Sequence, residues 1–193
     1  MEITKTKLKD CFVITPISHQ DERGFFQETY HEIKYSDLLP VNTRFVQDNL
    51  SKSKKNVIRG IHFQSKNPQG KLVRVVKGEV FDIAVDLRLN SPTFGKYHSE
   101  ILNSENLKQI WIPKGFGHAF MTLSNEAILE YKCTDFYNAD FEHTIIWNDK
   151  DLDIKWPNGK PIISAKDSLG LKFEDINKLF EDKVERTSKN TKR

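Results

Sequence analysis

Through the middle of the chain, apolar and polar residues alternate in short runs broken by glycine and proline. Over residues 79–88, Phe81, Ile83, Val85 and Leu87 fall on one face, and Asp82, Ala84, Asp86 and Arg88 fall on the other. That is the two-residue period of a strand. Residues 71–76 are a β-rich run, and Lys77-Gly78 predicts a hairpin turn before the next strand. The run Ile110-Trp111-Ile112 stops at Pro113, and residues 114–117 predict a loop. Residues 118–123 and 128–137 continue the series, after an earlier strand over 11–15 and a short helical piece over 30–39. Many short strands with turns between them, and no alternating helices, predict an all-β sandwich or barrel whose strands run antiparallel.

The C-terminal part reads differently. Ser164-Ala165-Lys166-Asp167 has the spacing of a capping box, with Asp in place of Glu. Phe173, Ile176, Leu179 and Phe180 then recur at helical spacing, which predicts one amphipathic helix with its apolar stripe toward the core. Residues 1–185 read as a single domain, and residues 186–193 as a polar, basic, disordered tail.

Composition narrows the class. Apolar residues make up 37% and charged residues 30% of 193, the balance of an ordinary soluble protein. No apolar run approaches a membrane span, and the polar N-terminus lacks the stretch of a secretory signal. Cys11 and Cys133 do not make a disulfide framework, so the cytoplasm is the expected compartment. A net charge of +3 is too small to suggest nucleic acid, though it suits an anionic small molecule.

Six histidines raise the question of metal: His19, His31, His62, His98, His118 and His143. Cupin-type jelly rolls often hold metal through His-x-His and a nearby Glu. Here the stretch reads His62-Phe63-Gln64, and no Glu follows before Glu79. Only two histidines can be assembled, short of the three or four ligands a transition metal needs, so no metal site is expected. A pocket with histidine and no metal suggests general acid–base chemistry. Asp82 and Asp167 are candidate carboxylates. Tyr131 and Tyr137, placed on one face by strand alternation, are candidate phenols. On residue type alone each also has a structural reading. His62 reads equally as a hydrogen-bonded structural residue, Tyr131 as sandwich filling, Asp82 and Asp86 as solvent-facing, and Arg23, Arg59 and Lys71 as surface cations.

Read together, the segments do more. Asp21-Glu22-Arg23-Gly24-Phe25-Phe26, Phe45-Val46-Gln47-Asp48-Asn49 and Arg59-Gly60-Ile61-His62-Phe63-Gln64 come in that order. Gln69-Gly70-Lys71, Gly78-Glu79-Val80-Phe81-Asp82, Trp111-Ile112-Pro113, Tyr131-Lys132 and Ser164-Ala165-Lys166-Asp167 follow. From about residue 8 to residue 168 the chain resembles the dTDP-4-dehydrorhamnose 3,5-epimerases. That resemblance implies a cupin-type jelly roll with short peripheral helices and no cofactor. It implies a substrate, dTDP-4-dehydro-6-deoxy-D-glucose, whose C3 and C5 protons flank a C4 ketone.

The resemblance also assigns roles. It makes His62 the base, Asp167 its partner, Tyr131 the proton donor and Lys71 the cation near the C4 oxygen. His118, Asp82 and Tyr137 line the pocket. Gln47, Asp48, Asn49, Arg59, Glu142 and Lys166 take nucleotide and phosphate contacts. Arg23, Phe26 and Glu28 resemble a segment that a neighbouring subunit contributes, which implies a homodimer with shared sites. Phe136 departs from the tyrosine of many relatives. Arg59 and His62 are three apart, so a flat strand puts them on opposite faces unless Gly60 marks a bulge. Four alternatives stand beside this reading: a single C3- or C5-epimerase, a sugar-nucleotide ketoisomerase, a sugar-binding cupin without catalysis, and a metal oxygenase.

Overall fold

The computed structural model describes residues 1–179. Two antiparallel sheets face each other as a jelly-roll sandwich. The first has six strands in the order β1 (Glu2–Lys5), β2 (Phe12–Thr15), β10 (Gln109–Ile112), β7 (Lys71–Lys77), β12 (Glu126–Cys133) and β5 (Gln47–Lys54). The second has five: β13 (Glu142–Thr144), β6 (Ile58–Gln64), β11 (Phe116–Thr122), β8 (Glu79–Asp86) and β9 (Tyr97–Asn103). A separate hairpin pairs β3 (Ser18–Asp21) with β4 (Gly24–Gln27). Two short helices, α1 (Glu32–Ser36) and α2 (Ala165–Ser168), lie outside the sheets.

Three apolar layers hold this arrangement together. Between the sheets lie Val73, Val75, Val80, Ala84, Leu102, Ile110, Ile112, Phe120 and Leu129. The outer face of the six-stranded sheet carries Ile14, Leu72 and Trp111 beneath Tyr35 of α1. The Tyr35 hydroxyl donates to Gln109 Oε1 at 2.8 Å, so this buried phenol is satisfied as well as packed. Ile61, Ile83, Val85 and Ala119 cover the outer face of the five-stranded sheet, under Leu152 and Ile176 from the C-terminal segment.

The alternation over residues 79–88 therefore has an unexpected consequence. Its apolar face looks away from the inter-sheet core, toward the C-terminal segment. Val80 and Ala84, from the other face, enter the inter-sheet core, and Asp82 is fully buried. Both faces of β8 are covered, so Asp82 and Asp86 do not meet solvent.

Lys77-Gly78 is likewise not the turn of a paired hairpin. β7 and β8 belong to different sheets, and Gly78, at φ 78°, turns the chain from one to the other. An added Cβ there would meet Ser124 and Ala127, which glycine avoids. The predicted loop over 114–117 is shorter than expected, because β11 begins at Phe116. The helical piece over 30–39 contracts to α1.

In the C-terminal segment, Ser164 caps α2, its Oγ accepting from Asp167 N at 3.0 Å. A 3₁₀ turn at Phe173–Asp175 leads into helical residues 176–179, with Ile176 fully buried. The core-facing stripe thus holds for Phe173, Ile176 and Leu179. Phe180 and the tail over 186–193 lie outside the described residues.

Candidate active site

A cavity of about 190 Å³ opens at one end of the sandwich, with walls drawn from both sheets. His62 and Phe63 of β6 line it from the five-stranded side. Lys71 of β7, Tyr131 of β12, and Gln47 and Asn49 of β5 line it from the six-stranded side. Strand register explains the second group. Cys133 pairs with both Lys71 and Gln47, and Tyr131 pairs with both Val73 and Asn49, so these side chains form adjacent rows on one face.

A bulge sets the opposite wall. His62 pairs with His118 while Arg59 pairs with Phe120, so β6 uses one residue more than β11 over that span. Gly60, at φ 110° and followed by a cis bond to Ile61, occupies it. The bulge undoes the simple alternation between Arg59 and His62. Arg59 donates to Ser53 Oγ and to the Lys52 carbonyl, and its charge reaches Tyr131.

His62 Nε2 lies 2.7 Å from Asp167 Oδ1, and Asp167 Oδ2 accepts from Gly60 N at 3.3 Å. Asp167 is buried at the start of α2. Burial pushes its carboxyl up. Hydrogen bonds from His62, Gly60 and Ser164, with the His62 charge, outweigh that and hold it below the usual carboxylate range. An ionised Asp167 accepts from Nε2–H, which leaves His62 Nδ1 as the ring's acceptor.

Across the cavity, burial pushes the Tyr131 phenol up to about 12, with Cys133 and Glu142 adding and Arg59 opposing. At neutral pH it holds its proton. Lys71 Nζ stands over the Tyr131 ring, 5.6 Å from its centroid, and has no ion-pair partner among the described residues. Burial holds its ammonium below the usual lysine range, and the charges of Cys133, Glu142 and Asp82 oppose that.

Tyr137 reaches the same cavity by a different route from the one alternation predicts. β12 ends at Cys133, so Tyr137 sits in the following loop. Gln47 Oε1 accepts from its backbone N–H at 2.8 Å, and Glu142 Oε2 accepts from its hydroxyl at 2.9 Å. Lys166 also bonds Glu142. Burial raises the Glu142 carboxyl, but the Lys166 and Tyr137 bonds prevail and leave it low.

His118 and Asp82 form a second imidazole–carboxylate pair, with Nε2 to Oδ2 at 2.9 Å, both buried. The His118 ring meets the Tyr131 ring edge to face, 6.2 Å between centroids. Gln64 turns its amide to the Asn67 and Phe136 carbonyls and to Asn138 N, fastening the loop that carries Tyr137. Among the described residues no three His, Cys, Asp or Glu side chains converge as a ligand set.

Asp167, His118, Asp82, Arg59 and Lys166 stand behind the lining of this cavity rather than in it, and four further residues singled out from sequence lie away from it in their own chain. Asp48 alternates outward from Gln47 and Asn49 and pairs with Lys132 at 3.0 Å. Arg23 is exposed at the tip of the β3–β4 hairpin and pairs with Asp21, while Glu28 pairs with Lys34. Phe26 is 71% exposed. Conversely, Pro68, Gln69 and Phe116 line the cavity without having been singled out. Gln69 and Phe116 lie within or beside matched motifs, which was the available signal.

The family model describing dTDP-4-dehydrorhamnose 3,5-epimerase matches residues 5–175. The chain belongs to the dTDP-4-dehydrorhamnose 3,5-epimerase family. A Salmonella typhimurium dTDP-4-dehydrorhamnose 3,5-epimerase is 49% identical over 170 residues, covering 87% of this chain and 93% of that protein. The crystal structure of a Legionella pneumophila dTDP-6-deoxy-D-glucose-3,5-epimerase in complex with dTDP-4-keto-L-rhamnose superposes with a TM-score of 0.89 at 47% identity. It covers 92% of this chain and 96% of its own. A Streptomyces niveus dTDP-4-dehydrorhamnose 3-epimerase is 36% identical over 172 residues, covering 89% and 83%. Membership in this epimerase family accords with a cupin-type jelly roll whose cavity is walled by both sheets.

Proposed function

We propose that this chain inverts C3 and C5 of dTDP-4-dehydro-6-deoxy-D-glucose to give dTDP-4-dehydro-L-rhamnose. One observation carries the mechanism: an oriented imidazole and a protonated phenol line the same cavity from opposite sheets. Inversion at a carbon beside a ketone needs this arrangement, because the proton must leave from one face and arrive at the other.

His62 Nδ1 takes the proton, and Asp167 stabilises the imidazolium that forms and fixes the ring. Negative charge then develops on the C4 oxygen. Lys71, buried and without an ion pair among the described residues, meets it, in a low-dielectric site where such a charge counts most. Tyr131 delivers a proton to the other face. A proton moves, not a hydride, so the step needs no nicotinamide. His118, Asp82 and Tyr137 shape the pocket, and Gln47, Asn49, Arg59, Glu142 and Lys166 serve the nucleotide end. Cationic side chains there suit a diphosphate.

The homodimer belongs to the same proposal. The β3–β4 hairpin presents Phe25 and Phe26 to solvent, together with Arg23, away from its own cavity. A hairpin outside both sheets with two exposed phenylalanines is suited to complete a partner's site. Asp48, on the outer face of β5, then contacts nucleotide only if the partner brings the nucleotide end across that edge. Two buried free cysteines favour a cytoplasmic enzyme. Among the described residues no helix is long and apolar enough to cross a membrane.

Incubation with the keto sugar in deuterated water tests the reading. Deuterium at both C3 and C5 of an inverted product is expected. Label at C3 alone would make the chain a 3-epimerase, and no label in any product would sink the proposal.

A further inference from the structure

Past Cys133 the chain leaves the sheet but stays at the cavity. Residues 135–137 make no backbone–backbone hydrogen bond among the described residues. Packing does not anchor them either, since Phe136 is 65% and Tyr137 51% exposed. Glutamine amides hold this strap instead. Gln69 Nε2 donates to the Asp135 carbonyl at 2.9 Å, and Gln64 Nε2 to the Phe136 carbonyl at 3.3 Å. Gln47 Oε1 accepts from Tyr137 N and Gln64 Oε1 from Asn138 N, both at 2.8 Å. Successive residues outside any ladder thus have their backbone groups paired through side chains.

These glutamines are not equivalent. Gln47 and Gln69 each hold one strap residue. Gln64 grips the chain on both sides of Tyr137, and a further bond, to the Asn67 carbonyl at 2.9 Å, fixes the amide itself. Gln64 is buried, follows His62 by two residues on β6, and pairs with Glu142 across the β6–β13 ladder. Glu142 in turn accepts from the Tyr137 hydroxyl at 2.9 Å. Both ends of Tyr137, backbone and hydroxyl, are therefore set from position 64, on the strand that bears the base. The duty also fixes the residue type. A neutral amide donates through its NH₂ group and accepts through its oxygen, whereas a carboxylate only accepts and an imidazole has one N–H per nitrogen. Asparagine falls one carbon short.

We propose that Gln64 is a positioning residue for the epimerisation, acting through Tyr137. With the amide in place, Tyr137 forms a fixed edge of the cavity that His62 and Tyr131 also line. Without it the strap keeps only its outer bonds, the exposed ring is free to swing toward solvent, and the sugar is held less closely between base and phenol. Loose alignment of reacting groups costs rate. The kinetic half of this inference rests on the epimerase reading above; the hold on Tyr137 does not.

A double-mutant cycle tests it. Gln64→Met keeps the length and removes every bond. Its kcat/KM on the keto sugar should fall by about tenfold or more, while the same change in a Tyr137→Ala background should cost less than about twofold. An equal loss in both backgrounds would assign Gln64 to the fold and overturn the proposal, as would no loss in the first. Gln64→Glu, of the same shape, keeps the acceptor and loses both donors. It goes through the same cycle with the same expectation, so the test stands if the first variant does not fold. Amide hydrogen exchange needs no substrate. In either variant the Tyr137 amide should exchange about tenfold faster or more, with the strands of both sheets unchanged. Unchanged exchange at Tyr137 overturns the proposal even in a chain that epimerises the sugar. Faster exchange in a chain whose wild type labels no product sinks the epimerase reading and leaves the hold of Gln64 on Tyr137 standing.

Discussion

Nε2 of His62 stands 2.7 Å from Oδ1 of Asp167, although the two residues are 105 apart in the chain. α2 exists largely to make that contact: Ser164 caps its start and Asp167 points from its first turn into the sheet. The ring tautomer follows, and with it the nitrogen available to a substrate. Asp167→Asn should keep the fold but present the wrong hydrogen-bonding partner to Nε2. We expect kcat to fall by roughly 10²–10⁴-fold with a small change in KM. A loss below tenfold would remove Asp167 from the proposed base.

The same carboxylate links stability to pH. Its pKa is depressed in the folded chain, so its contribution is complete above its ordinary value of 3.8 and is lost as pH falls through the lower folded value. Denaturant midpoints of the wild type and Asp167→Asn should therefore run parallel from neutral pH down to about pH 5 and converge below about pH 4. Parallel curves throughout would mean that Asp167 titrates alike folded and unfolded.

Tyr131→Phe removes the proposed donor and leaves the base. His62 can still abstract a proton, exchange it with solvent and return it to the same face. Nuclear magnetic resonance in deuterated water should show label entering the keto sugar without inversion, and inverted product lower by about 10²-fold or more. Inversion at a near-normal rate would show that another group delivers the proton.

Lys71 trades stability for chemistry. Burial lowers its pKa, so the folded state disfavours the ammonium below that value, and the cost fades only as pH rises toward the ordinary lysine range. Lys71→Met should raise the melting temperature by about 2–4 °C, the size of about 1 kcal/mol in a domain this large. Activity should drop by about 10²-fold or more. A variant that is both active and less stable would contradict both halves of that statement.

Shared sites predict complementation between inactive chains. Arg23→Ala and His62→Ala should each be nearly inactive alone. After mixing and exchange, heterodimers would carry one site with both residues intact, and part of the activity should return. No recovery despite confirmed exchange would place Arg23 outside the partner's site.

Much of this was legible in the chain because strands announce themselves by alternation. The sandwich, most strand positions and the Ser164 cap follow from residue pattern alone. Alternation could not tell which face of β8 meets the inter-sheet core, because both faces are covered and a buried acid such as Asp82 reads as solvent-facing. Nor could it tell that Gly78 changes sheets, since a local turn signal carries no information on distant pairing. Tyr137 was assigned to the right cavity for the wrong reason: Gln47 and Gln64 hold its loop in place, and those contacts span more than seventy residues. The wall made by Pro68, Gln69 and Phe116 stayed hidden because none of these types suggests acid–base chemistry.

Gly60 joins several of these threads. A methyl group built there would sit 2.7 Å from the Ala119 Cβ and 2.8 Å from its Cα, so β6 and β11 approach as they do only because position 60 is bare. Its amide also holds Asp167. Replacement by even alanine would push apart the two strands that bear His62 and His118 and loosen Asp167 in the same movement. One hydrogen atom in place of a side chain thus sets the clearance on which both histidines depend, and in a saturation library this non-reacting position should prove as intolerant as the residues that touch the sugar.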